Sequence, residues 1–197
     1  MAHEYQKQFI KKVKDTNPLF FSNKKVLEVG SLDINGSMRE FFEECEYIGL
    51  DIGSGRGVDI VCSGHEYDAS DDTFDVTLST ECFEHNPYWA ETFSNMVRLT
   101  KSGGLIFFTC ATTGRHEHGT RRTSPTKSPL TIQKGWDYYK NLDEEDFRSA
   151  YEESFDDIFE VYEFHSTVSN NPTEFISELK KTNYLFSEDI YFWGIVK

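Results

Sequence analysis

Apolar residues recur along this chain with two different periods. From residue 26 onward, short runs rich in Val, Ile, Leu and Phe, bounded by Gly, Asp or Ser, alternate with stretches of helical period. That alternation predicts an α/β fold with a mostly parallel sheet. Five runs, KVLEVG, YIGLD, VDIVC, FDVTLS and GLIFFTC, are the expected parallel strands. Ahead of them, Tyr5, Phe9, Ile10 and Val13 share one helical face, so residues 1–23 are expected to supply an amphipathic covering helix that ends near Thr16. Between the fourth and fifth runs a helix is predicted with Asn86 at its N-cap, Pro87 at N1, Trp89, Phe93, Met96 and Val97 on one face, and Gly103 and Gly104 at its end. Residues 111–142 hold Gly, Pro, Ser and Thr throughout with no sustained period, the mark of a long functional loop on the substrate side. LDEEDFRSAYEE then reads as a helix with an acidic first turn, favourable to its dipole. The tail predicts a strand, a helix capped by Asn171 with Pro172 and Glu174 following, and a final strand.

Length and charge narrow the partners. The 197 residues suit one domain spanning 1–197. A formal charge of −14 disfavours nucleic acid or an anionic membrane as partner. Residues 111–142 run against that trend, with six Lys or Arg against two acids. Cys45, Cys62, Cys82 and Cys110 lie far apart with no C-x-x-C pair, as expected of free thiols in a reducing compartment. No window approaches the 18 apolar residues of a membrane span and no signal peptide is visible, so a cytoplasmic location is expected. Nothing in the sequence sets an oligomeric state.

The stretch VLEVGSLDINGS carries the first chemistry. A turn leaving a strand and opening a helix presents unpaired N–H groups to the polar end of a nucleotide-like ligand. The dinucleotide pattern G-x-G-x-x-G is absent, because Leu32 stands where its second glycine belongs. Asp33 would repel a pyrophosphate and welcome an amino group, which disfavours an NAD-type oxidoreductase. Twenty-one residues past Gly30, Asp51 ends the second strand, where its carboxylate can take both ribose hydroxyls; a strand-ending turn residue is the other reading.

With FDVTLSTECFEH and VRLTKSGGLIFFTC added to these two motifs, residues 24–150 resemble the class I S-adenosylmethionine-dependent methyltransferases, in particular the type 11 members. The resemblance implies a Rossmann-like seven-stranded sheet in the order 3-2-1-4-5-7-6, its last strand antiparallel, with helices on both faces. It implies S-adenosylmethionine as cofactor, held at the methionine end by Glu28, Gly30, Ser31, Asp33, Asn35 and Gly36, and at the ribose by Asp51 with Ile52 beside it. Where the family usually offers an Asp to adenine, this chain has Ser63 and Gly64. Gly36 would keep the close helix approach.

Methyl transfer needs in-line positioning of a nucleophile more than elaborate machinery. An O or N nucleophile of a small molecule or glycan-type acceptor also wants a base, and His85 in the loop after the fourth strand is the first choice, a structural hydrogen-bonder being the equal alternative. Thr80 and Glu81 are expected to line the cofactor pocket. His116 and His118 follow the fifth strand as further base candidates. In His116-Glu117-His118 the two histidines fall on opposite sides of a strand, so no metal is expected there. Arg121 and Arg122 could capture an anionic acceptor or merely neutralise an acidic body, and Tyr138 and Tyr139 could stack on the acceptor or pack the loop down. A binding or scaffold protein that keeps the fold without catalysis is the rival reading.

Overall fold

The computed structural model describes residues 4–168 and 187–197. Seven strands form one sheet: β1 (Lys25–Val29), β2 (Glu46–Asp51), β3 (Ile60–Val61), β4 (Phe74–Thr80), β5 (Thr100–Ala111), β6 (Phe159–Val168) and β7 (Ser187–Val196). Their order is β3-β2-β1-β4-β5-β7-β6. The first five run parallel, and β7 pairs antiparallel with both β5 and β6. This is the expected Rossmann-like methyltransferase sheet.

Central strands are apolar on both faces because both faces are covered. Val26, Val76, Leu78, Leu105, Phe107, Tyr191 and Trp193 pack with Phe9, Ile10 and Val13 of α1 (Glu4–Thr16). Leu27, Val29, Ile106, Phe108, Ile190 and Phe192 pack against α2 (Trp89–Leu99), α4 (Glu144–Ser149) and α5 (Phe155–Ile158). Aromatic rings fill that second layer: Phe108 stacks on Phe147 at 4.3 Å between centroids, and Phe93 meets Phe108 edge-on at 5.5 Å. The acidic first turn expected of α4 is present in Glu144, Glu145 and Asp146, and Asp143 and Asp146 add a capping box.

Three local expectations change. No α-helix follows the first turn: Met38–Phe41 is a 3₁₀ turn capped by Ser37. Residues 37–45 are too few for a helix and its return to β2, and α1 already occupies that face, its Lys14 donating to the Phe41 carbonyl. α2 starts two residues later than predicted, with Tyr88 at N-cap; Asn86 Oδ1 instead accepts from the Tyr88 N–H, and its amide donates to Thr92. It also ends at Leu99, before the glycines, with Thr100 donating to the Met96 carbonyl. The loop 111–142 contains a short helix, α3 (Pro129–Lys134), closed by Gly135 at φ +90°. The helix expected around Asn171 lies outside the described residues. Among the described residues no helix is long and apolar enough to cross a membrane, and the four cysteines are free.

Candidate functional site

In this strand order the chain reverses direction across the sheet between β1 and β4, and the crevice beyond their carboxyl ends is where α/β sheets bind ligands. A cleft of about 650 Å³, open mouth included, lies there, formed by the ends of β1, β2 and β4 and roofed by Lys127, Ser128, Pro129, Leu130 and Thr131 of the 111–142 loop. A smaller hollow of about 340 Å³ adjoins it, lined by Val29, Ile52, Cys62, Gly64, Asn86 and Trp136 among others. Gly30, Asp51, Cys82 and Thr131 border both.

Gly30 has φ +83°, and a Cβ there would fall 2.6 Å from Cys82 Cβ, so both its backbone and its space demand glycine. The turn differs from expectation in where its amides go. Gly30 and Ser31 N–H both donate to the Leu50 carbonyl at 2.9 Å, Leu32 N–H to Asp51 Oδ2 at 3.0 Å, and Asp33 N–H to the Arg56 carbonyl at 2.8 Å. These donors bind the protein itself and are no anion cradle. Leu32 lies over Gly55 of the neighbouring loop, where a Cβ would come 2.2 Å from Leu32 Cδ1. The glycine missing from the turn thus stands on the surface facing it.

Glu28, Gly30, Ser31, Asn35, Gly36, Asp51, Thr80, Glu81 and His85 line the cleft, and Ile52 and Gly64 the adjoining hollow. Asp33 does not: its carboxylate is buried, accepting from Gly36 N–H at 2.7 Å and pairing with Arg56 at 2.7 Å. It braces the turn and is not free to meet a ligand's amino group. Ser63 is buried outside the hollow, its carbonyl accepting from Glu66 N–H.

Asp51 accepts one backbone N–H on each oxygen, from Leu32 at 3.0 Å and Ile52 at 2.8 Å, which leaves a lone pair on each for a ligand. Burial raises its pKa. Burial also raises Glu28 from the usual carboxyl value to about 7, against the hydrogen bond it accepts from Tyr47 at 2.8 Å. The Arg39 guanidinium stacks over Tyr47 at 4.6 Å and pairs with Asp59, so a cation stands behind this hydrogen bond.

Glu81 holds φ +52°, an uncommon conformation for a residue with a Cβ, at the point where the chain leaves β4. His85 is buried and driven down to about 3, first by burial and then by His118, whose ring lies 5.0 Å away, so it is neutral at ordinary pH. His118 sits buried beside it, whereas His116 is exposed and Glu117 pairs with Arg122. The H-E-H run therefore disperses. Arg122, Tyr138 and Tyr139 line a separate outer pocket with Glu117, and Arg121 is exposed, its N–H held by Asp137. The loop residues that do roof the cleft are Lys127 to Thr131, whose signal in the sequence is structural only: Ser128-Pro129 starts α3 and Lys134-Gly135 stops it.

Residues 1–162 match the family described as Methyltransferase domain. The chain belongs to that methyltransferase family. No curated protein sequence matches it. Among solved structures, it is similar to phosphoethanolamine N-methyltransferase 2 of Haemonchus contortus, determined with phosphomonomethylethanolamine and S-adenosylhomocysteine, with TM-score 0.57 and 18% identity over 97% of this chain and 53% of that one. The chain thus spans about half the length of that enzyme. A SAM-dependent methyltransferase of Archaeoglobus fulgidus gives TM-score 0.58 and 16% identity over 96% and 94% of the two chains. The [4+2]-cyclase SpnF gives 0.61 and 12% over 96% and 81%. At such identities the likeness is one of fold.

Proposed function

We propose that the chain binds S-adenosylmethionine and directs its methyl to an O or N nucleophile of a small-molecule or glycan-type acceptor. The observation that carries this is Asp51, a half-buried carboxylate with one open lone pair on each oxygen, standing between a polar cleft and a mostly apolar side hollow. A nucleoside asks for that arrangement: vicinal hydroxyls on Asp51 and a base in the hollow of Val29, Ile52, Gly64 and Trp136. At the other end, Glu28 and Asn35 would face an amino-acid tail, with Lys127 supplying a cation for its carboxylate.

When bound, S-adenosylmethionine supplies a methyl on a positive sulfur that departs as a neutral thioether. The protein's part is then placement and exclusion of water. Leu130 and Thr131 close the cleft from above, and Glu81 and His85 face the acceptor. A neutral His85 accepts a hydrogen bond from the acceptor's hydroxyl or amine and orients it; held near 3, it is too weak to carry the proton away by itself. The size of the roofed cleft and the net charge of −14 support a small or glycan-type acceptor over nucleic acid. Free cysteines support a reducing, cytoplasmic setting.

Thermal shift tests the reading. S-adenosylhomocysteine at 100 times its dissociation constant adds about 2.7 kcal/mol, a rise of roughly 5 to 10 °C for a chain of this size. NAD should give none, and Asp51→Ala should abolish the response. No shift at millimolar S-adenosylhomocysteine on natively folded chain refutes the assignment. Deuterated-methyl transfer into cell extracts then separates transferase from binding protein.

A further inference from the structure

Behind the acceptor end of the cleft lies a cluster that nucleoside binding does not use. Glu84 is fully buried, and neither of its carboxyl oxygens has a hydrogen-bond partner among the described residues. A carboxylate in that position is costly unless it is protonated or joined by a cation. The charges around it are mostly of the same sign: Glu81 and Asp189 lie near enough to act on it, and the cation Arg115 is already paired with Glu188 at 3.2 Å and Asp189 at 3.3 Å.

Two buried histidines complete the cluster. One ligating atom each from Glu84, His85 and His118 lie within 4.8 Å of one another. His85 Nε2 is 3.9 Å from Glu84 Oε1. His118 Nδ1 lies 3.1 Å from the His116 carbonyl, and an N–H donating there leaves the lone pair on Nε2. His85 Nδ1 is buried and has no hydrogen-bond partner among the described residues. A backbone carbonyl on one imidazole nitrogen is how metal-bound histidines are oriented through the other.

We propose that Glu84, His85 and His118 bind one divalent ion of the zinc class at the acceptor end of the cleft. Two imidazoles and a carboxylate suit Zn²⁺ or Co²⁺ better than Mg²⁺, which prefers oxygen ligands and retained water. Three protein ligands leave a position open. Bonds of about 2.0–2.1 Å in a tetrahedral shell place donors about 3.4 Å apart, so the three side chains draw in by roughly an ångström on loading. His85 also lines the cleft, so the open position adjoins the acceptor. The chemistry, though not the ion binding, rests on the methyl-transfer reading: an acceptor hydroxyl on the ion would lose its proton to water near neutral pH, its oxygen keeping the electron pair. In that arrangement His85 holds the ion and the ion does the acidifying.

The test uses the full chain stripped with a chelator and titrated with Zn²⁺, with Co²⁺ as the spectroscopic probe. The expected result is one ion per chain, a melting rise of roughly 5 to 10 °C at 100 times the dissociation constant, no effect of Mg²⁺ at the same concentration, and cobalt absorption without a strong thiolate band. Glu84→Gln and His118→Gln should each weaken Zn²⁺ binding at least a hundredfold and leave S-adenosylhomocysteine binding unchanged; His118→Gln carries the test if the buried Glu84 variant does not fold. Uptake is read without turnover and nucleoside binding in the same samples, so the two readings fail by different signals. A natively folded chain that takes up neither ion, a thiolate band that puts the metal on cysteine, or variants that bind as wild type would overturn the proposal.

Discussion

Replacing Glu28 by Gln should make the protein more stable at alkaline pH, by an amount that vanishes in acid. In the folded chain burial raises the Glu28 carboxyl from 4.5 to about 7, so the folded state holds this proton more tightly than the unfolded chain does. Stability therefore falls as pH rises from 4.5 through 7, because ionising the buried group costs more in the fold than outside it. Each pKa unit is 1.36 kcal/mol, so the full burden, reached by about pH 8, is on the order of 3 kcal/mol. Glutamine escapes it and can still accept the Tyr47 hydroxyl through its amide oxygen. For a chain of this length, 1 kcal/mol moves the melting point by roughly 2–4 °C. Glu28→Gln should thus melt roughly 6 to 12 °C above wild type at pH 8 and converge with it near pH 4.5, by calorimetry or by urea midpoints. A difference independent of pH, or one that grows in acid, would refute the reasoning. A carboxylate that lowers stability in the empty cleft is one that a ligand's ammonium would relieve, which ties this measurement to the proposed methionine end.

Two further substitutions probe the frame that holds the site. Gly30→Ala places a Cβ at 2.6 Å from Cys82 Cβ on a residue at φ +83°, and should lower the urea-derived stability by on the order of 2–3 kcal/mol; an unchanged midpoint would contradict the tight turn. Phe93→Ala removes a buried ring that contacts Phe83, Phe108, Phe147 and Phe192, and should cost roughly 3–5 kcal/mol with the m-value retained; a loss below about 1 kcal/mol would mean the ring layer is not packed as described.

The strands were legible because β1, β4, β5 and β7 bury both faces, and a run of Val, Ile, Leu and Phe has few other uses at that length. β3 was legible in place but not in extent: Ile60 and Val61 are exposed at the sheet edge, and only two residues hold the ladder. The missing helix after the first turn was hidden by the resemblance itself, which implies one. Only the fold reveals that α1 takes that layer and that residues 37–45 need only bend back.

At the site, backbone position could be read and side-chain partnership could not. Asp51 ends β2 and Glu28 is the last residue but one of β1, so their place at the crevice follows from chain order alone. Whether Asp33 faces a ligand or Arg56 depends on a contact 23 residues away, and the meeting of Glu84 and His85 with His118 on one more than 30 residues away. Leu32 makes the same point in reverse. In the turn it reads as a lost glycine, yet a close approach needs a small residue on only one of the two surfaces, and Gly55 supplies it from the other. A glycine pattern taken from one segment measures half of a contact. That half can fail while the contact, and the cleft built on it, survives.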